Sequence, residues 1–141
     1  MSQYTKFNFN TNQIQISTKE VKHFPDNNTA ENSFAKVSLF DNNHIKVGQL
    51  VSNVSAVTSH ENVDNCNTNY YITLTSTIFV NSIGTITYSY STTSSNKYIF
   101  TPPGTTFVCK IIYGTEKYLN VTGNVIINYF EGGNSEILVD A

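Results

Sequence analysis

The sequence predicts an all-β domain whose strands run antiparallel. About eight or nine short segments rich in Val, Ile, Thr, Tyr and Phe follow one another closely, and apolar residues alternate with polar ones inside them. Turn signals separate the segments, for example Asp41-Asn42-Asn43, Asn81-Ser82-Ile83-Gly84 and Pro102-Pro103-Gly104. Scarcely any helical periodicity is present. This pattern suits either a closed barrel or a sandwich, which periodicity alone does not distinguish.

Composition limits the domain count and the classes of partner. The chain has 141 residues, 39% of them hydrophobic, which is the size of one domain with a real core. The net charge is −2, and the eight basic residues are all Lys and form no run, so neither a nucleic acid nor an anionic membrane is expected as partner. No signal peptide and no membrane-spanning segment is visible. We therefore expect a soluble chain of unassigned localisation, compatible with a virion or with the cytoplasm.

The N-terminal residues 1–33 are predicted to form an extension or arm, and residues 34–141 the main β domain. Phe7, Phe9, Ile14 and Ile16 alternate with polar residues, and the stretch from Ser17 to Asp26 is the one plausible helical turn. An amphipathic strand outside the core needs a surface to cover. The arm is therefore expected to add an edge strand or to contact a neighbouring subunit through residues 1–16.

The remaining segments are read as strands in order. They are Phe34 to Phe40, Ile45 to Ser59 with room for a bend, Tyr70 to Val80, Thr85 to Tyr90, Lys97 to Thr101, Cys109 to Tyr113, Val125 to Tyr129 and Ser135 to Asp140. In Tyr70 to Val80, the longest uninterrupted strand, one face carries aliphatic residues and the other is too mixed for plain solvent surface. If the domain encloses a cavity, the candidates for its lining are Tyr71, Phe79, Tyr88, Tyr90 and Tyr113.

The stretch from Cys109 to Tyr129 holds two strands joined by a connection too long for a tight hairpin. Gly114 and Gly123 bracket that connection. Tyr118 and Val121 within it suggest that the loop packs back onto the body of the domain. It is expected to close one end.

No metal or cofactor site is expected. His23, His44 and His60 lie in separate segments without metal-ligand spacing, and the His60, Glu61 and Asp64 cluster falls in a polar loop. Cys66 and Cys109 form no metal-type pair, so they either make one disulfide or, as is commoner for an isolated strand Cys, serve as small hydrophobes. Generic nucleophile, phosphate-binding and dinucleotide motifs are absent.

Several turns and aromatic residues resemble the dirigent and allene oxide cyclase superfamily. The similar segments are Tyr113-Gly114-Thr115-Glu116-Lys117-Tyr118, Val121-Thr122-Gly123, Val47-Gly48-Gln49-Leu50-Val51 and Tyr70 to Tyr90. The resemblance implies an eight-stranded antiparallel up-and-down β-barrel, a size whose interior is filled or holds one small ligand. It also implies homo-oligomers, with a trimer expected before a dimer.

The family's catalytic residues are mostly replaced. Thr122 stands at the Arg position of the dirigent triplet, and Lys117 stands at an acidic one. Lys36 and Ser38 stand where allene oxide cyclases carry Glu and Asn. Asp41 is the one aligned catalytic candidate, although Asp-Asn-Asn favours a turn carboxylate bonded to backbone amides of residues 42–44.

Two functions follow from this reading. The first is a non-catalytic barrel that serves as a structural or interaction subunit of a homo-oligomeric assembly, such as a virion or an extracellular layer. The alternative is a barrel that binds a small hydrophobic molecule, or an allene-oxide-cyclase-like isomerase or cyclase. A filled lumen favours the first, and an apolar cavity open at one end favours the second.

Overall fold

The computed structural model describes residues 4–25, 28–59, 69–100 and 102–141, which contain nine strands and two short 3₁₀ turns. The strands are β1 (Tyr4–Asn10), β2 (Gln15–His23), β3 (Thr29–Phe40), β4 (Lys46–Ser59), β5 (Asn69–Val80), β6 (Gly84–Ser94), β7 (Thr106–Glu116), β8 (Asn124–Tyr129) and β9 (Asn134–Asp140). The 3₁₀ turns are Thr11–Gln13 and Glu131–Gly133. None of the helical segments in these ranges has the length and apolarity to cross a membrane.

The eight strands β1 and β3 to β9 form a closed antiparallel barrel, as predicted. From β3 to β9 each strand pairs with the next one along the chain. β1 closes the ring because it pairs with β9 from Tyr4↔Asp140 to Asn10↔Asn134 and meets β3 at Asn8↔Phe40. Closure leaves the backbone groups of β9 paired rather than exposed at a sheet edge.

β2 follows β1 in the chain and pairs with the same strand, β3, at a different place along it. Beyond the turn Thr11–Gln13 the chain pairs with β3 from Gln15↔Lys36 to His23↔Thr29, with one irregularity in the register. β1 and β2 therefore both pair with β3, but only β1 also pairs with β9. After the turn Thr11–Gln13 the chain leaves β9 and continues along β3 alone.

The helical turn predicted between Ser17 and Asp26 is wrong for the described residues, which belong to strand β2 up to His23, whereas the expected edge strand is present because β2 pairs with β3 at the end of the strand order. The proposed boundary between residues 33 and 34 falls inside β3, and the segment from Ser17 onward belongs to β2. Phe7 and Phe9 are 3% and 5% exposed, so the apolar face of β1 is buried in the barrel of its own chain and needs no neighbouring subunit. The edge of β3 offers backbone partners to β2, and that pairing overrides local helical preference.

The core fills the barrel from the inward faces of its strands. On β5 the inward side chains are Ile72, Leu74, Ser76, Ile78 and Val80. Leu39, Ile78, Ile86, Val125 and Ile137 are among the side chains that lose essentially all solvent contact. Because successive side chains point to opposite faces, the same strands present their other side chains, both polar and apolar, on the outer surface.

The loop between β7 and β8 covers one end of the barrel. Its Tyr118 and Val121 pack against the core, and the Lys117 N–H donates to the Ile83 carbonyl at 3.2 Å. A Cβ on Gly114 would lie 2.1 Å from the Tyr118 carbonyl oxygen, so the close return of the loop requires glycine there. This is the packing expected of an end closure.

β4 is one continuous strand, in the stretch where the sequence left room for a bend. One other segment differs from its predicted form. The stretch from Lys97 to Phe100, predicted to begin a strand, lies in the long β6–β7 connection instead. Phe100 there packs against the core, and Pro102-Pro103 supply no backbone donors, so the segment is fixed by side-chain burial rather than by strand pairing.

Removing the Phe7 side chain tests whether β1 is part of the barrel. Phe7→Ala should lower the free energy of unfolding by about 3–5 kcal/mol, because it opens a cavity in the closed core. Ile16→Ala, in the same N-terminal segment but 68% exposed, should change it by no more than about 0.5 kcal/mol. Urea unfolding followed by circular dichroism measures both. Equal, small losses would contradict the role assigned to β1.

Candidate functional site in the barrel lumen

A cavity of about 300 Å³ lies inside the barrel, between the inward faces of β3, β4, β5 and β8. Its rim is formed by β2 and by the β6–β7 connection, where Ile16 and Tyr98 are exposed. The cavity therefore opens at the end of the barrel where β2 pairs with β3 but not with β9. The opposite end is the one covered by the β7–β8 loop.

The walls of the cavity are mostly apolar, and one of them is aromatic. Leu50, Val54, Leu74 and Ile127 are among the aliphatic lining residues. The aromatic side runs through five rings in successive contact, with centroids 4.9–6.2 Å apart and mostly edge-to-face: Phe9, Tyr129, Phe107, Phe100 and Tyr90. Phe9, Phe100 and Tyr129 line the cavity, whereas Phe107 and Tyr90 pack behind them, so the aromatic wall is supported by a second layer of rings.

A row of hydroxyl groups crosses the apolar lumen. Ser52, Ser76 and Tyr88 are opposite one another on β4, β5 and β6, and all three line the cavity. The Ser52 and Ser76 hydroxyl oxygens are 2.7 Å apart and share a hydrogen bond. The Tyr88 hydroxyl is buried and has no hydrogen-bond partner among the described residues. No contact of the hydroxyl meets hydrogen-bond geometry, although it lies close enough to the Ser76 hydroxyl for a weak hydrogen-bonding interaction that lowers its pKa. Burial outweighs that effect and raises the pKa of Tyr88 far above its ordinary value, so this phenol is neutral.

An ion pair spans the cavity rim. The Lys97 ammonium donates to a carboxylate oxygen of Glu31 at 2.9 Å, and it also lies 5.1 Å from the centre of the Tyr98 ring. Glu31 is buried on β3, and its hydrogen bond raises the pKa of Lys97 above the usual lysine value. The pair ties the β6–β7 connection to β3. Removing the lysine would leave a buried carboxylate without this partner.

Two further ionisable groups inside the barrel are neutral. Burial raises the pKa of the Cys109 thiol to about 12, and burial likewise raises the pKa of Tyr129. Cys109 is buried as a free thiol and behaves as a small hydrophobe, whereas Cys66 lies outside the described residues. A buried neutral thiol is a poor nucleophile.

The structure places the predicted pocket residues in three different environments. Tyr88 lines the cavity, whereas Tyr90 does not and packs behind the aromatic wall against Phe107. Tyr71, Phe79 and Tyr113 instead lie on the outer surface, exposed by 49%, 45% and 60%. The mixed face of β5 is its outer face, because the aliphatic face carrying Ile72 and Leu74 fills the barrel. These three residues therefore do not line the lumen.

Asp41 is a turn residue. One of its carboxylate oxygens accepts hydrogen bonds from the backbone N–H of Asn43 at 2.8 Å and of Ile45 at 3.0 Å. The turn includes His44 with a φ of 62°, and it follows the end of β3 remote from Glu31. Asp41 is absent from the cavity lining, so no catalytic role is assigned to it.

The other positions compared with the family are also scattered. Lys36 reaches the cavity rim, whereas Lys117 and Thr122 belong to the loop at the covered end. Exposed His23 and His44 belong to no group of three or more potential metal ligands within the described ranges. His60, Glu61 and Asp64 lie outside them.

Ser52, Ser76, Glu31 and Lys97 are site residues that sequence reasoning missed. Ser76 could have been found, because it interrupts the aliphatic face of β5 between Leu74 and Ile78. Glu31 and Lys97 are 66 residues apart in the chain, and no local pattern connects them.

The fold and the cavity together define a small antiparallel β-barrel with an apolar lumen that is open at one end. No family model matches the chain, and no curated protein matches it. Among solved structures, the barrel is similar to one named pyocyanin demethylase, with a TM-score of 0.53 and 16% sequence identity over 96% of this chain and 100% of that one. At this identity the likeness concerns the fold alone.

The unpaired Tyr88 hydroxyl should reduce stability. Tyr88→Phe is expected to raise the free energy of unfolding by about 1–2 kcal/mol, because it removes a buried polar group without changing the shape of the side chain. Tyr113→Phe, at an exposed position, should leave stability unchanged. Chemical unfolding of both variants measures this. A less stable Tyr88→Phe protein would mean that the hydroxyl has a partner.

Proposed function

We propose that this protein binds one small, mostly apolar molecule in its barrel lumen. The observation that carries the proposal is the apolar cavity of about 300 Å³ with an aromatic wall and an open rim. That volume is at the lower end of the roughly 300–1,000 Å³ typical of ligand pockets. An eight-stranded barrel of this size has room for one such ligand.

Binding is favoured over catalysis by the charge state of the lumen. Electrostatic catalysis needs a charged or strongly polar group beside the reacting atoms, in a site that excludes water. The deep groups, Tyr88, Tyr129 and Cys109, are neutral because burial raises each pKa. The charged groups are at the rim, where Glu31 and Lys97 are paired with each other and Lys36 is exposed. An isomerase or cyclase reaction, and kinship with dirigent proteins, have weaker support.

Filling the cavity tests the proposal. Ala35 on β3 lines the lumen opposite Ser52, and Ala35→Phe should occupy the space that a ligand needs. We expect the parent protein to bind naphthalene saturably in isothermal titration calorimetry, and Ala35→Phe to weaken that binding at least about tenfold, equivalent to about 1.4 kcal/mol.

Val51→Phe is the matched control, because it adds the same bulk at an outward-facing, partly exposed position of β4. It should bind naphthalene as the parent does. Parent protein without saturable binding, or Ala35→Phe with unchanged affinity, would contradict a lumenal site.

A second proposal is a homo-oligomeric structural or interaction subunit, with a trimer expected before a dimer. It is supported by apolar side chains on the outer face of β4 and β5. Val57 and Tyr71 are directly opposite each other there. Val51 and Phe79 are diagonal neighbours, because Val51 is paired with Thr77, two residues before Phe79. Exposed apolar patches of this kind are typical of protein interfaces. Phe7 and Phe9 make no such contribution because they are buried in the chain's own core.

Light scattering tests the oligomer. The parent should have the mass of a trimer at micromolar concentration, and the double variant Val51→Lys, Phe79→Lys should be monomeric, since burying two charges at an interface is costly. Val108→Lys on the outer face of β7 is the control and should stay trimeric. A monomeric parent would exclude the proposal, and a monomeric Val108→Lys protein would move the interface to β7.

A further inference from the structure

We infer that the Tyr88 hydroxyl anchors the lumenal ligand, and that this ligand is a neutral, flat aromatic molecule carrying a hydrogen-bond acceptor such as a ring nitrogen or a carbonyl oxygen. The inference rests on the proposed binding function and adds to it a ligand class and an anchoring residue. It begins from the hydroxyl row of Ser52, Ser76 and Tyr88.

The Tyr88 side chain is fully buried, lines the cavity, and has no hydrogen-bond partner for its hydroxyl among the described residues. Buried polar groups are nearly always paired, so an orphaned hydroxyl in a cavity wall indicates a missing partner. Asn53 Oδ1 is also buried and unpaired, but Asn53 is not part of the cavity lining. The orphan relevant to a ligand is therefore Tyr88.

The partner that best completes the row accepts a hydrogen bond. The phenol oxygen can also accept, but its single O–H is a donor that no described residue satisfies. The two serine hydroxyls, 2.7 Å apart, share one hydrogen bond, so one of the two protons in that pair is still available beside Tyr88. The row thus offers donors, which suits an oxygen or nitrogen lone pair on the ligand.

The surroundings favour a neutral, flat ligand. A full charge beside Tyr88 would be desolvated far from a counter-charge, because the charged side chains that line the cavity, Glu31, Lys36 and Lys97, are at its rim, and two of them are paired with each other. Phe9, Phe100 and Tyr129, which line the cavity, belong to the contiguous aromatic wall. Aromatic rings pack well against such edges and faces.

Two probes of the same shape separate the polar contact from apolar packing. Quinoline has one ring nitrogen where naphthalene has a carbon, and each is titrated into the parent and into Tyr88→Phe by calorimetry. We expect Tyr88→Phe to weaken quinoline binding about fivefold to tenfold, since one hydrogen bond is lost, and to change naphthalene binding by less than about twofold. Tyr113→Phe should change neither affinity.

A second readout does not depend on affinity. The ¹⁵N resonance of labelled quinoline bound to the parent should show the upfield shift of a nitrogen that accepts a hydrogen bond, and the shift should disappear in Tyr88→Phe. If both probes bind and Tyr88→Phe affects them equally, the anchoring inference is overturned while the lumenal site stands. If neither probe binds the parent, the proposed function fails and the inference fails with it.

Discussion

The pairing of β1 with β9 is the constraint on which the rest of the molecule depends. It joins residues 4–10 to residues 134–140, so the two ends of the chain meet to close the sheet. Without that pairing β9 would present an open edge, and the apolar faces of Phe7 and Phe9 would have no barrel to fill. Closure between chain termini is also the most non-local contact in the fold, and such contacts tend to form late in folding.

The cavity opens where the N-terminal segment changes from pairing with two strands to pairing with one. β1 is bonded on both sides, to β9 and briefly to β3, whereas β2 is bonded to β3 and leaves the seam. Where β1 closes the wall, the lumen is filled by side chains such as Leu39 and Ile137. Where β2 departs, the inward faces of β3, β4 and β5 continue without a closing neighbour, and the Glu31–Lys97 pair and the β6–β7 connection form a rim in its place. One part of the barrel interior is therefore filled with side chains, and the other part contains the open cavity.

The sequence predicts most of the strands but not which of their residues line the cavity, and the reason is physical. Alternation in β5 separates two faces correctly, yet which face is inside depends on strands that are not adjacent in sequence. Tyr88 was placed well because it shares a face with Ile86, and both are buried. Tyr113 was misplaced because the β6–β7 register shifts between Thr87 and Tyr88, where an extra residue on β7 turns the following side chain outward. The role of β1 was missed for a related reason, since its partner β9 lies at the other end of the chain.

At Ser52, Ser76 and Tyr88, tight packing would favour apolar side chains, whereas the proposed ligand binding needs polar ones. A barrel selected for stability alone would carry aliphatic or Phe side chains at these inward positions, since burying a hydroxyl without a partner costs about 1–3 kcal/mol. The neighbouring inward positions Leu74, Ile78 and Ile86 are indeed aliphatic. The polar row is confined to one level of the barrel and borders the cavity rather than the filled end. The energetic cost of the orphaned hydroxyl therefore falls beside the cavity, and this coincidence supports the proposed ligand binding more firmly than the volume of the cavity does.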